Sequence, residues 1–257
     1  MKGGTGKTTT AVNLSTGLIL LDKNINVLAV DLDPQSNLSI TFGIDVINLK
    51  QSMGDVLMNE ETRLHDILYR LKRLHIAPAT MDLAMKQRQL QALPDGAFHL
   101  NDRLQQVRDE YNYIIIDTPP QSTLLLDSAL YASDEIIIPI DVGYYSMVGI
   151  REFLSIFERI RKRNPKLQLS GVLITFVEQT VLARDVMEAA KRQFGDSLFR
   201  SVIHKNVRLA EAPSAHKPIY LYDSKCTGSQ DYIGFCREFL ARNRAKAKAD
   251  RTAEERT

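Results

Sequence analysis

The first ten residues, Met1-Lys2-Gly3-Gly4-Thr5-Gly6-Lys7-Thr8-Thr9-Thr10, set two lysines around three glycines and run into threonines. Without Cβ atoms, glycines let successive backbone N–H groups converge on phosphate oxygens. Lys7 stands where its ammonium can reach the β and γ phosphates, and Thr8 offers a hydroxyl to magnesium. Gly3, Gly4, Thr5, Gly6, Lys7, Thr8 and Thr9 are therefore the candidate nucleotide-binding residues, and Lys7 is also a candidate catalytic group. The general phosphate-loop pattern has a glycine where this chain has Met1, so this is a deviant version. Lys2 precedes the glycines. Its side chain need not face the same nucleotide as Lys7, and both a solvated lysine and one that crosses a subunit boundary fit the spacing.

Two acids follow at strand ends. Val27-Leu28-Ala29-Val30-Asp31-Leu32-Asp33-Pro34-Gln35 is an apolar run closed by two acids and a proline that stops it. Tyr113-Ile114-Ile115-Ile116-Asp117-Thr118-Pro119-Pro120 is four apolar residues and then an acid. A run without alternation predicts a strand covered on both sides, as in a parallel sheet. Asp117 at its carboxyl end is placed to hold magnesium through water.

Lys2-Gly3-Gly4-Thr5-Gly6-Lys7-Thr8-Thr9, Asp31-Leu32-Asp33-Pro34-Gln35 and the strand ending in Asp117 together resemble the ParA/Soj/MinD class of deviant Walker ATPases. The resemblance implies ATP and Mg2+ as cofactors and a homodimer that sandwiches ATP, with Lys2 contacting the nucleotide of the partner subunit. It implies that Asp33 orients or polarises the attacking water, so Lys2, Lys7 and Asp33 are the expected catalytic set. Thr8, Asp31 and Asp117 are the expected metal set. His204-Lys205-Asn206-Val207-Arg208-Leu209-Ala210-Glu211 resembles a family block that helps hold the adenine, which makes Asn206 a nucleotide-binding candidate, although His204 and Lys205 replace the family's usual Pro-Arg pair. The family binds non-specific DNA through C-terminal basic residues, for which Arg208, Lys217 and Lys225 are the nearest candidates. A centromere-binding ParB-like protein is the implied partner, plasmid or chromosome segregation the implied role, and a cytoplasmic, nucleoid-associated location is expected.

The elements that must position these residues alternate in type. Helices are expected over 10–21, 148–161 and 182–194, and buried strands at 27–33, 113–117, 136–140 and 171–176. The fold class is α/β: a doubly wound, mostly parallel sheet with helices on both faces. Thr62 to Leu74 reads as an amphipathic helix, His75 to Ala77 as a short strand, and Leu90 to Val107 as a helix. Residues 1–240 are expected to form one ATPase domain. Residues 241–257, charged and without a large apolar residue, are expected to be a frayed helix or disordered tail with no membrane-inserting face.

The net charge of the 257-residue chain is only +2, so any nucleic-acid surface must be a local cluster rather than a global field. Cys226 and Cys236 lack companions for a metal set and read as free thiols. One expectation concerns what precedes the loop. In this fold the loop follows a central strand, yet one residue stands before Lys2. Five buried apolar side chains amount to about 8 to 15 kcal/mol, comparable to a domain's whole stability. The expectation is a start upstream of Met1 or another segment in that place, and a weakly folded or inactive chain otherwise.

Overall fold

A computed structural model describes residues 4–120, 123–143 and 146–254. The helix after the phosphate loop, α1 (Lys7–Leu21), buries every residue from Thr10 to Leu18. Burial all round makes α1 an interior element although Thr10, Asn13, Ser15 and Thr16 are among its buried residues, and it packs Leu14 and Leu18 into a core shared with Phe235 and Phe239. The first run becomes β1 (Val27–Asp31), buried throughout. The chain then forms α2 (Asn37–Thr41), α3 (Met53–Met58), α4 (Leu64–Ile67), β2 (Tyr69–Leu71), β3 (Leu74–Ala77), α5 (Leu83–Gln91) and α6 (His99–Gln105) before β4 (Tyr113–Asp117). Next come α7 (Leu124–Ala132), β5 (Glu135–Asp141), α8 (Ser146–Arg161), β6 (Gln168–Val177), α9 (Val181–Phe194) and β7 (Leu198–His204). Three helices end the chain: α10 (Val207–Glu211), α11 (Ile219–Tyr222) and α12 (Thr227–Glu254).

The strands make two sheets, in the orders β2-β3-β1-β4 and β5-β6-β7. All pairs are parallel except β2 with β3. The fold class is thus α/β as expected, but β4 and β5 do not pair, and the single wound sheet is split between them among the described residues. The consequence shows on β4. Its apolar run predicts full cover, yet Ile114, Ile115 and Ile116 are only half-buried, because one edge and part of each face lack a neighbour.

Two expected helices are corrected. Over 62–74 the chain makes the one-turn helix α4 and then the antiparallel hairpin of β2 and β3, with Tyr69 opposite Ile76. The spacing of Leu64, Ile67, Leu68, Leu71 and Leu74 imitates a helical stripe, but Lys72 takes a left-handed φ of 47° and turns the chain back. Over 90–107 the helix breaks into α5 and α6. Pro94-Asp95-Gly96 forms the intervening turn, and a side chain at Gly96 would strike the carbonyl of Leu90.

The last helix, α12, passes Leu240, the last buried side chain among the described residues, and continues to Glu254. Arg244 reaches Asp22 at 3.3 Å and Lys246 reaches Glu135 at 2.6 Å. Glu238 fixes α12 to β7. Its carboxylate accepts the amides of Arg200 and Ser201 at 2.9 and 2.8 Å and the Arg242 guanidinium at 2.7 Å. Burial works against the charge, yet those two amides and Arg242 hold the carboxyl below its ordinary value. A depressed carboxyl lends stability that is present above the ordinary carboxylate value and lost as pH falls through the folded one. Glu238→Ala should therefore lower the unfolding free energy by about 3 kcal/mol at pH 7, read by urea denaturation, and by less at pH 3.

Candidate functional site

The loop takes the shape that its glycines allow. Gly4 and Gly6 have φ of 86° and 83°, a conformation other residues adopt only under strain, and Gly6 caps α1. No atom lies within 4 Å of a side chain built at Gly4, so its backbone is open to a ligand. Thr175 on β6 anchors the loop, its hydroxyl hydrogen-bonding at 3.0 Å to the carbonyls of both Thr5 and Ile140. Behind it, Asn13 Nδ2 donates to the carbonyl of Thr9 at 2.8 Å, and Thr10 Oγ1 lies 3.1 Å from Tyr232 Oη. The first turn of α1 is thus tied to α12 through Thr10 and Tyr232.

Strand register brings the acids together. Asp31 and Asp117 are directly opposed at the carboxyl ends of β1 and β4. Burial above all pushes the Asp117 carboxyl up to about 8, with the charge of Asp31 adding and the Thr8 hydroxyl and Lys7 ammonium opposing. Asp31 is likewise raised to about 6, chiefly by burial. The Lys7 ammonium is lowered by burial, against the pull of Asp117 and Asp33. Lys7, Asp31 and Asp117 each feel the charge of Asp33, and Thr8 and Lys7 act on Asp117, so the five residues form one cluster.

The acids differ in what they have left to offer. Asp31 uses both oxygens locally: Oδ2 accepts the Ser39 amide and hydroxyl at 2.9 and 2.7 Å, and Oδ1 accepts the Asp33 amide at 3.1 Å. Asp33 Oδ1 accepts the Gln35 amide at 2.9 Å. Asp117 Oδ2 is buried without a hydrogen-bond partner, as are the hydroxyls of Thr5 and Thr123. Such orphaned oxygens beside a phosphate loop fit a hydrated divalent cation, which takes few protein ligands and completes its shell with water and phosphate. No cluster of three or more His, Cys, Asp or Glu side chains could hold a metal by itself among the described residues.

The remaining expected residues lie apart from this cluster or beyond description. Lys2 and Gly3 are outside the described residues, as are Gln121, Ser122, Tyr144 and Tyr145. Asn206 follows β7 and caps α10, its side chain accepting the Arg208 amide at 2.9 Å. Arg208 is paired with Glu211 at 2.8 Å and lies 3.7 Å from Asp223, so part of its charge is already answered. Lys217 and Lys225 are exposed. Sequence reasoning missed Ser39, Thr175 and Tyr232. Their partners lie 8, 170 and 222 positions away, and no local pattern marks them. No helix among the described residues is long and apolar enough to cross a membrane.

A family model described as an AAA domain matches residues 1–169. The chain is 36% identical over 254 residues to the chromosome partitioning protein ParA of Caulobacter vibrioides, covering 96% of this chain and 94% of that protein. It is 38% identical over 244 residues to the sporulation initiation inhibitor protein Soj of Bacillus subtilis, covering 93% and 95%. Among solved structures, a putative plasmid partition protein from Borrelia burgdorferi bound to AMPPNP superposes with a TM-score of 0.77 at 25% identity, covering 95% of this chain and 96% of that one. Identity above one third along nearly the whole length, with the glycine loop and facing acids in place, makes this chain a member of the ParA/Soj family of deviant Walker A ATPases.

Proposed function

We propose that the chain is an ATP hydrolase that dimerises around ATP and Mg2+, binds DNA without sequence preference in the ATP state, and acts in plasmid or chromosome segregation with a centromere-binding, ParB-like partner. The observation that carries this reading is the convergence of Lys7, Thr8, Asp33 and Asp117 at the carboxyl ends of β1 and β4, under a loop whose open glycine admits phosphate. The relatives named for partition support the cellular role. In this reading Gly3, Gly4, Thr5, Gly6 and Thr9 cradle the phosphates, and Lys7 holds the β and γ oxygens. Thr8 and Asp117 hold the magnesium ion, which supplies charge neutralisation along the phosphates. Asp31, expected in the metal set, has both oxygens engaged by Ser39 and the Asp33 amide and braces the segment after β1 instead, and Asp33 orients the attacking water. Lys2 of each copy reaches the triphosphate held by the other, and Asn206 contacts the base. A nucleoid-associated, cytoplasmic location follows from DNA binding of this kind.

Nucleotide-dependent DNA retention tests the proposal. ATP, and not ADP, should make the chain retard an arbitrary duplex, with an affinity that falls steeply with salt as displaced counterions require. Lys217→Ala and Lys225→Ala should each weaken binding uniformly across sequences, and by more than Arg208→Ala, whose cation already faces Glu211. Lys2→Ala should abolish partner-stimulated hydrolysis while ATP still binds. Equal DNA retention with ADP and ATP would overturn the switch, and unchanged dimerisation and hydrolysis in Lys2→Ala would overturn the shared-lysine site.

A further inference from the structure

Two parts of the candidate site end on the same surface segment. Asn13 stands one turn behind Thr9 on α1 and is only 3% exposed. Its side-chain amide bridges two elements: Nδ2 donates to the Thr9 carbonyl at 2.8 Å, and Oδ1 accepts the Ile219 amide at the start of α11 at 3.0 Å. The Tyr220 hydroxyl then donates to the Asn13 carbonyl at 3.0 Å. There is no slack in this contact. A side chain at Gly17 would strike Tyr220 Oη and Cys236 Sγ, so α1, α11 and α12 bear directly on one another. A buried carboxamide that loses either bond has no water to replace it, so a shift of the first turn of α1 is followed by Ile219 or leaves polar groups unpaired.

The second contact comes from the side of the acids. The Gln35 amide donates to Asp33 Oδ1 at 2.9 Å and the Ser36 amide to the Asp33 carbonyl at 2.8 Å, which leads the chain straight into α2. Asp31 holds α2 at Ser39, and the next carbonyl, that of Ile40, accepts the Nδ1–H of His216 at 2.8 Å. A carbonyl only accepts, so Nδ1 carries the proton. His216 has a left-handed φ of 53° and ends the single turn Ala212–Ala215. The carboxyl end of α2 lies close to it: a side chain at Gly43 would come within 3.7 Å of His216 Cβ.

Between the two anchors, His216 and Ile219, stand Lys217 and Pro218, and Lys217 is exposed. Pro213 and Pro218 restrict the backbone at both ends of this stretch, so it answers as one piece. At its far end Tyr222 Oη donates to Glu211 Oε2 at 2.9 Å, and the same carboxylate holds Arg208 at 2.8 Å. One short segment therefore touches the phosphate-loop helix, the chain after Asp33, and two of the basic residues expected to meet DNA.

We propose that residues 212–222 are a relay with two inputs, Asn13 from the phosphate loop and His216 from the side of the acids, which sets the placement of Lys217 and Arg208 according to the nucleotide bound. The relay rests on the ATPase and DNA-binding reading above and adds which side chains carry the coupling. In that reading both nucleotides seat phosphates on the loop, so the Asn13 input reports either of them. Only ATP has the γ phosphate whose attacking water Asp33 orients, so the His216 input tells ATP from ADP. Asn13 and His216 are positioning residues, and neither belongs to the phosphate cradle.

The test is the ratio of duplex affinities with Mg-AMPPNP and with Mg-ADP, measured for the parent, His216→Gly and His216→Asn. Glycine takes the left-handed φ without strain and removes the imidazole. Asparagine tolerates that φ and sets its Nδ2 where the Nδ1 of histidine stands. His216→Gly should melt within about two degrees of the parent and bind AMPPNP within about threefold of it, yet its ratio should fall by about 10-fold or more, an ordinary size for coupling between sites. His216→Asn should recover most of that loss. Hydrogen exchange gives a readout that needs no DNA. Relative to the Ala29 amide, exchange at the Ile219 amide should change with either nucleotide, by at least about 10-fold with AMPPNP and by less with ADP, whereas in His216→Gly the two nucleotides should act alike. A parent-like ratio in His216→Gly, or equal losses in the Gly and Asn forms, would overturn the relay. A parent that retains duplex equally with AMPPNP and ADP would sink the DNA-switch reading instead, and Ile219 would then decide for the relay alone: exchange there that neither nucleotide changes relative to Ala29 would overturn it.

Discussion

Lys7→Ala should reduce ATP affinity by about 100-fold or more and bring hydrolysis to background, with the circular dichroism spectrum unchanged. Removing one preorganised charged donor from a partly enclosed site costs about 3 to 4 kcal/mol of stabilisation of developing charge. Lys7 is such a donor, because burial lowers its ammonium while Asp117 and Asp33 keep it charged. The side chain also offsets the acid cluster when no nucleotide is bound. Lys7→Arg should therefore preserve the fold yet fail to restore turnover, since a planar guanidinium cannot occupy the position of a compact ammonium at the mouth of a tight loop. Titration of a fluorescent ATP analogue and a phosphate-release assay measure the two effects separately. Hydrolysis in Lys7→Ala within about threefold of the parent would remove Lys7 from the mechanism.

The site was more legible in the sequence than the sheet that carries it. A glycine loop and apolar runs closed by Asp31 and Asp117 announce themselves locally, since the same short stretch supplies both the strand and the acid at its end. Side-by-side placement of the two acids needs only that β1 and β4 be neighbours in register, as they are. What holds those acids was hidden. Ser39 answers both free directions of Asp31 Oδ2 from the start of α2, and its type and spacing are those of an ordinary surface serine. Thr175 reaches the loop from β6, a contact between residues 170 positions apart. The hairpin at 69–77 was misread because five leucine and isoleucine positions mimic a helical stripe, and because Lys72 is an unusual residue for the left-handed turn it makes. At 94–96 the helix reading passed over a local signal, the Pro-Asp-Gly sequence of a turn. The half-exposure of Ile114 to Ile116 has another origin: a run of isoleucines states what a strand can bury, not which neighbours it finds.

Asp117 joins the chemistry of the site to the stability of the fold. Its carboxyl is pushed from the ordinary 3.8 up to about 8 by burial first and by Asp31 second. The folded protein therefore keeps a proton that the unfolded chain releases. In the nucleotide-free protein this contribution to stability is fully present below about pH 4, declines as pH rises, and is gone above about pH 8. Asp117→Asn takes away the titrating group and keeps the shape. The variant should melt within a degree or two of the parent at pH 5, several degrees above it at pH 8.5, and with a flatter dependence of Tm on pH between those points. Turnover should move the opposite way, falling by about 100-fold or more, because the amide can neither hold the magnesium ion as a carboxylate does nor offset Lys7. The opposed signs matter. A residue that served packing alone would lose stability and activity together, whereas a charge kept buried for a ligand destabilises the empty site at alkaline pH and is needed once the site is filled. Parallel Tm profiles for the two proteins across this range would show that Asp117 carries no such burden.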